Sequence, residues 1–334
     1  MVINELIYLH SFNHTSGLSF LKFPNQTQKI SDCETVVISA YDFDFNSDIY
    51  KTELIDFVNN GKKLIIDAST EIMGKNTIDF ALRFEDTSLI TIYVNNYETQ
   101  FNDDVELIKV RGGNVVIIPF FIKYVNQYKP KYSNKPIVHK DYLLLSGKSK
   151  PSRTSMVGLL SYYNLIENGH VSFFGDGVTV NNSRFFYDKT SDYFSEVGVT
   201  ETQKNKVREG LSKIPKKLTL DINNLTHQIS HDRSYNGDYY KAVDFVVVVE
   251  SDLRDDFFFV TEKTMKCIQQ NKKFIVFGGC GLLNYIKKEV KVHLQKDITH
   301  LTDWCDTSYD RISDVWERLD KIISIIKDNT SKSI

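Results

Sequence analysis

Two short apolar runs in the last third of this chain leave few folds open. The first is Asp244-Phe-Val-Val-Val-Val-Glu250 and the second is Lys273-Phe-Ile-Val-Phe-Gly-Gly-Cys-Gly281. Four consecutive valines, Val246 to Val249, show no polar alternation, so that strand must be buried on both faces. Between the runs stands Val260-Thr-Glu-Lys-Thr-Met-Lys266. Thr261 is a good N-cap, and the spacing predicts a helix over 261–270. Strand, helix and strand in that order form the unit of a parallel sheet covered by helices.

The same rhythm runs through the rest of the chain. In the first half, strands are predicted at 5–9, 35–40, 63–67, 89–94 and 115–118. Helices are predicted at 50–60, ended by a C′ glycine at Gly61, and at 77–84. Residues 123–139, KYVNQYKPKYSNKPIVH, break this rhythm with two prolines, several lysines and no apolar period. They read as a linker. A second unit follows, with strands at 141–146, 171–175, 245–250 and 274–277. Its helices are expected at 153–167, 201–213, 261–270 and 281–288, with an amphipathic one at 312–327. Residues 176–236 read mostly as loop. The division is thus 1–122, a linker 123–140, a second domain 141–311 and a C-terminal segment 312–334.

At 334 residues the chain has room for two ordinary domains, and 41% hydrophobic residues suit a globular fold. A net charge of -2 gives no global pull toward nucleic acid. Four scattered cysteines, with no C-x-x-C pair, read as reduced thiols and not as a zinc site. No apolar run reaches the roughly 20 residues needed to span a bilayer, and Met1-Val-Ile-Asn-Glu-Leu6 has no signal-peptide pattern. The expectation is a cytoplasmic protein with no membrane span.

Ligands of open α/β sheets sit beyond the carboxyl ends of the strands. Glu250 lies at such an end. At the helix start that follows, backbone N–H groups favour a diphosphate, while Glu262 suits ribose hydroxyls and Lys263 suits phosphate. Lys266, three residues on, shares the face of Lys263. A capped start carrying Glu and Lys is also common on ordinary solvated helices. The Gly278–Gly281 turn lacks dinucleotide spacing and either approaches a ligand or only links strand to helix.

The run E-S-D…F-V-T-E-K-T-M-K…F-I-V-F-G, from Glu250 to Gly278, resembles the donor-binding motif of α-1,3-fucosyltransferase-like GT-B glycosyltransferases, and most of all phage-borne relatives. Two further segments are similar to that group. Tyr142–Thr154 resembles its strand, basic loop and helix, and Thr302–Arg318 resembles its D-x-S-Y-D…R signature. The likeness covers roughly residues 141–325. It implies two Rossmann-like domains facing a cleft, with the C-terminal helix crossing back toward the N-domain. It also implies inverting, metal-independent transfer from a nucleotide sugar, with no cofactor. In that reading Glu262 accepts ribose hydroxyls, Lys263 neutralises diphosphate, and Lys148 or Arg153 holds phosphate from the other side. Glu250 lies near the donor sugar. Val260 stands where fucosyltransferases carry an aromatic residue, so GDP-fucose does not follow.

Transfer also needs a base for the acceptor hydroxyl, which in this architecture comes from the N-terminal domain. The candidates are His10 or His14, Asp42 or Asp44, and Asp67 or Glu71, with Glu71 favoured as an acidic loop residue. Asp42-Phe-Asp44 is formally D-x-D, but the nucleotide signature lies in the other half. His227 and His231 at i,i+4 lack a third zinc ligand. Lysines and tyrosines interleaved around the linker suit either a nucleic-acid backbone with stacked bases or a solvated surface. Two acceptors remain, a hydroxymethylated pyrimidine in phage DNA, which must be exposed or flipped, and a surface or lipid-linked glycan. A non-catalytic nucleotide-binding module is the alternative of another class.

Overall fold

Both halves of the chain build the parallel sheets that its apolar runs demand. The computed structural model describes residues 7–10, 26–27, 33–40, 48–97, 99–123, 129–133, 136–146, 150–173, 200–215, 218, 220, 234–250, 253, 255 and 258–330. The chain divides into two units, Met1–Lys123 and Tyr124–Ile334. The fold is α/β.

The described strands of the first unit are β1 (Ile7–His10), β2 (Gln26–Thr27), β3 (Thr35–Ser39), β4 (Lys63–Met73), β5 (Ile90–Tyr97) and β6 (Asn114–Ile117). They lie in the order β2-β1-β3-β4-β5-β6, and every pairing is parallel. Helices α1 (Asp48–Asn59), α2 (Lys75–Ala81) and α3 (Asn102–Val110) supply Leu54, Phe57, Ile78, Phe80, Val105 and Ile108 to one core. There they meet Val36, Ile38, Leu64, Ile66, Ile92 and Val94. Those strand residues alternate, so they all stand on one face of the sheet. Gly61 ends the first helix as expected, with φ +80. Helix α3 was not anticipated, because its mixed polar run carries only two buried residues, Val105 and Ile108. A further short helix, α4 (Phe120–Lys123), follows β6.

Strand β4 departs from expectation. It does not stop at Asp67 but continues to Met73. Its neighbour β5 also runs longer than its apolar stretch, and Ile72 and Met73 pair with Asn96 and Tyr97 beyond an irregularity between Ala68 and Ile72. Glu71 therefore lies within that irregular part of a strand and not in a loop.

In the second unit the strands are β7 (Lys129–Lys131), β8 (Lys140–Ser146), β9 (Gly169–Phe173), β10 (Ser234–Asn236), β11 (Val243–Val249) and β12 (Phe274–Phe277). Four of them form a parallel sheet in the order β12-β11-β8-β9. Val246–Val249 are at most 3% exposed, as a strand between two neighbours requires. The helices are α5 (Pro151–Tyr162), α6 (Glu201–Ser212), α7 (Asp238–Lys241), α8 (Glu262–Gln269), α9 (Leu282–Leu294), α10 (Thr299–Thr302) and α11 (Val315–Thr330). The buried face of α11 packs on α5 and β12 of this same unit.

The segment read as a linker is partly a strand. β7 pairs in parallel with β10. Tyr132 donates its hydroxyl to Gln270 at 3.0 Å, and the Ser133 N–H bonds Asp238. Pro130 argued for a linker, yet prolines are tolerated in edge strands, and a three-residue strand leaves no period to read.

The order of the second sheet positions the site. From β8 the chain passes through α5 to β9 on one side. It returns to β11 on the other side of β8, then passes through α8 to β12. The connections thus diverge between β8 and β11, and the crevice at such a switch point is where doubly wound sheets hold ligands. In the first sheet the same divergence falls between β1 and β3.

Candidate functional site

At the carboxyl edge of β8 and β11 the chain gathers Arg153, Glu250, Thr261, Glu262, Lys263 and Lys266. Glu250 follows the last residue of β11 and is 0% exposed. Its Oε1 accepts the Thr261 N–H at 3.1 Å and the Thr264 hydroxyl at 2.6 Å, and its Oε2 accepts the Thr261 hydroxyl at 2.6 Å. With its proton committed to Glu250, Thr261 turns a lone pair to the Lys263 N–H at 3.4 Å and so caps α8. A carboxylate at a helix start also suits the macrodipole. The protein's own carboxylate thus holds the Thr261 N–H and hydroxyl at the start of α8. Thr264, not singled out in the sequence, completes the set, and its signal is its position three residues after the cap.

Glu262 and Lys263 open α8. The Lys263 Nζ lies 3.2 Å from the Glu262 Oε1, with side chains 20% and 32% exposed. Lys266 is buried, and its Nζ stands 5.4 Å from the centre of the Tyr235 ring. Burial lowers the Lys266 ammonium while Glu262 holds it up. Tyr235 arrives on β10, donates its hydroxyl to Gln269 at 2.7 Å and accepts from Gln270 at 2.8 Å. Burial pushes its phenol up to about 12.

Burial alone would raise the Glu262 carboxyl, but the charges of Lys263 and Lys266 and the Lys263 hydrogen bond outweigh it and bring it to about 2. A carboxyl lowered by folding stabilises the fold above its ordinary value of 4.5, and that contribution disappears as pH falls toward 2. The difference in unfolding midpoint between the parent chain and Glu262→Gln should therefore be constant above about pH 5 and shrink between pH 4.5 and 2. Thermal melts across that range check it. A difference that grows on acidification would sink the assignment.

Arg153, in the first turn of α5, is 4% exposed. Burial lowers its guanidinium pKa, and the charges of Glu250 and Glu262 work against that. The two helix starts are thereby linked electrostatically across the switch point. Lys148 lies outside the described residues, as do His14, Asp42, Asp44, His227 and His231.

The S-Y-D…R segment serves the loops around this edge. Tyr309 is buried, and its hydroxyl accepts the Val276 N–H at 3.3 Å. Asp310 accepts the N–H groups of Leu283 at 2.8 Å and Asn284 at 3.2 Å, so it caps α9. The Gly278–Gly281 turn is thus a linker with its helix start already occupied. Gly281, at φ +84, makes the bend. Arg318, 1% exposed, reaches the carbonyls of Leu253 and Ile312 and the Asp255 carboxylate. It ties the connection after β11 to the C-terminal helix.

In the first unit, His10 ends β1 beside β3, at that sheet's own switch point. Asp67 pairs with Ser39 of β3 in register. Its Oδ1 already accepts the Ser69 N–H at 3.0 Å and hydroxyl at 2.6 Å. Among the described residues no three His, Cys, Asp or Glu side chains gather as a metal site, and no helix is long and apolar enough to cross a membrane. All four cysteines are free thiols. No family model, no curated protein and no solved structure matches this chain.

Proposed function

We propose that this chain is a glycosyltransferase of GT-B type that moves a sugar from a nucleotide-sugar donor to a hydroxyl acceptor. The observation that carries this is the placement of Glu262, Lys263 and Arg153 at the starts of α8 and α5, on the switch point between β8 and β11. Glu262 keeps a carboxylate at neutral pH and accepts the ribose hydroxyls. Lys263 and Arg153 carry fixed positive charge toward the diphosphate leaving group, whose charge grows in the transition state. Glu250 acts on the donor through the helix it holds. The candidates for the acceptor base stay those of the sequence, Glu71, Asp67 and His10. The resemblance of Glu250–Gly278 to fucosyltransferase-like enzymes supports the same chemistry, carried out in a cytoplasm.

The test is a thermal-shift screen of UDP-, GDP-, CMP- and dTDP-sugars. One donor should raise the midpoint of the parent chain, with the dissociation constant about 10-fold weaker in Lys263→Ala and in Glu262→Ala, as loss of a charge-assisted hydrogen bond predicts. No stabilisation by any donor, or equal stabilisation of the variants, would sink the reading. With the donor known, mass spectrometry of nucleosides from hydroxymethylcytosine DNA tests the acceptor. An unmodified base beside a competent donor leaves a glycan.

A further inference from the structure

The opposite edge of the second sheet carries a cavity that the nucleotide reading does not use. Its volume is about 480 Å³, within the roughly 300–1,000 Å³ of small-ligand sites. It is built at the amino ends of two strands, with Asp244 and Phe245 at the start of β11 and Lys272 and Lys273 just before β12. β11 has seven residues, so roughly 20 Å of strand separates this edge from Glu250. Trp304, after α10, supplies an aromatic wall, its ring centre 4.9 Å from that of Phe245. Among the described residues its buried indole N–H has no hydrogen-bond partner. Asn271 follows α8 in the left-handed region at φ 51, and the N–H groups of Asn271 and Lys272 bond back to Ile268 and Cys267 at 3.2 and 2.9 Å. Both side chains thus leave a fixed stretch of backbone. The Asn271 Oδ1 accepts from His300 at 2.9 Å, which leaves its amide N–H groups to donate. Asn329 is the complement, since its amide donates to the Ile325 carbonyl at 2.8 Å and leaves its oxygen to accept. Two ammonium groups face one carboxylate, and that carboxylate already meets His139 at 3.2 Å. Burial lowers the Lys272 ammonium and Asp244 works against this, so a further negative charge beside it is stabilising.

We infer that this cavity binds an anionic monosaccharide, a ring that carries a carboxylate or a phosphate. The anion rests against Lys272 and Lys273, because hydrogen bonds from ammonium groups to an anion are the strong ones. Ring hydroxyls both donate and accept, which matches the free oxygen of Asn329 and the free N–H groups of Asn271. The C–H face of the ring is apolar and lies on the Trp304 wall. A neutral sugar leaves the two ammonium groups unanswered, and bare phosphate leaves the wall and the amides unused. No bond is made or broken, so the site only holds its ligand. It stands apart from the nucleotide-sugar reading, because Arg153, Glu262 and Lys263 do not line this cavity.

Tryptophan fluorescence locates the ligand directly, because the chain has only Trp304 and Trp316. Trp316 is buried on α11 and donates to Asp320 at 2.8 Å, so Trp316→Phe leaves Trp304 as the one reporter. Glucuronate and glucose 6-phosphate are titrated beside glucose and inorganic phosphate. At least one of the two anionic sugars should change the Trp304 emission in a saturable way, about 10-fold more tightly than glucose or phosphate. Which of the two binds better names the anion. Lys272→Gln and, separately, Lys273→Gln should each weaken that ligand by about 10-fold, while Lys263→Ala should leave it unchanged. If Trp316→Phe does not fold, isothermal titration of the parent chain and the two lysine variants makes the same comparison. No binding of either anionic sugar, glucose bound as tightly, phosphate bound as tightly, or affinities untouched by both lysine changes would each overturn the inference. None of these results bears on the binding of nucleotide sugars at the carboxyl edge.

Discussion

A Glu250→Ala chain should lose about 3–5 kcal/mol of stability and with it any nucleotide binding. The magnitude follows from what the carboxylate holds. It is 0% exposed and accepts the Thr261 N–H, the Thr261 hydroxyl and the Thr264 hydroxyl. Truncation leaves those donors inside the protein without an acceptor, at about 1–3 kcal/mol for each unsatisfied group, only partly additive. It also strips a compensating charge from buried Arg153, and breaking a buried charge pair by removing one partner costs about 3–5 kcal/mol. The single-hydroxyl changes Thr261→Val and Thr264→Val remove one donor each and should cost about 0.5–2 kcal/mol, the range of a lost cap. Urea unfolding followed by circular dichroism gives the comparison. A Glu250→Ala chain within 1 kcal/mol of the parent, about the least one unsatisfied group costs, would show that the carboxylate is not the anchor of α8.

The second large effect is steric. Helices α5 and α6 cross with Gly158 against Gly210. A Cβ added at Gly210 would stand 1.8 Å from the Gly158 carbonyl oxygen and 2.8 Å from the Tyr162 nitrogen, both backbone atoms. A Cβ at Gly158 would meet Val207 at 2.8 Å. Backbone cannot rotate out of the way, so Gly210→Ala must push the helices apart and open the contact of buried Val207. Overpacking of this kind costs typically 1–3 kcal/mol, and a backbone clash belongs at or above about 3 kcal/mol. Gly74→Ala is the control. Gly74 has open space around it and φ -83, which any residue accepts. It should be neutral or gain a few tenths of a kcal/mol by restricting the unfolded chain. Because α5 carries Arg153 in its first turn, Gly210→Ala should also weaken diphosphate binding. Equal melting points for the two glycine variants would refute the close crossing.

How legible all this was depends on the physics at each place. Val246–Val249 and Phe274–Phe277 could be read directly, because a strand buried on both faces advertises itself by composition alone. Thr261 as a cap was equally plain, since it precedes an amphipathic helix. The partner of that cap was not. Glu250 is 11 residues away, and only the three-dimensional return of the chain reveals that its carboxylate holds Thr261 and Thr264. The segment 123–139 was misleading for the opposite reason. Its lysines and prolines are typical of linkers, and its pairing with Ser234–Asn236 is set by a partner about 100 residues later. The S-Y-D…R segment was legible only as a resemblance, and in the fold it braces two loops.

The strand order also sets a timetable for the chain as it is made. The inner neighbour of β8 is β11, and 96 residues separate Ser146 from Val243. At a synthesis rate of about 5–20 residues per second, β8 waits on the order of 5–20 s for its partner. Through that interval its Tyr-Leu-Leu-Leu run has β9 on one side and nothing native on the other. The second unit is therefore exposed to wrong pairings early in its life, and shielding during synthesis is part of what this topology asks of the cell that makes it.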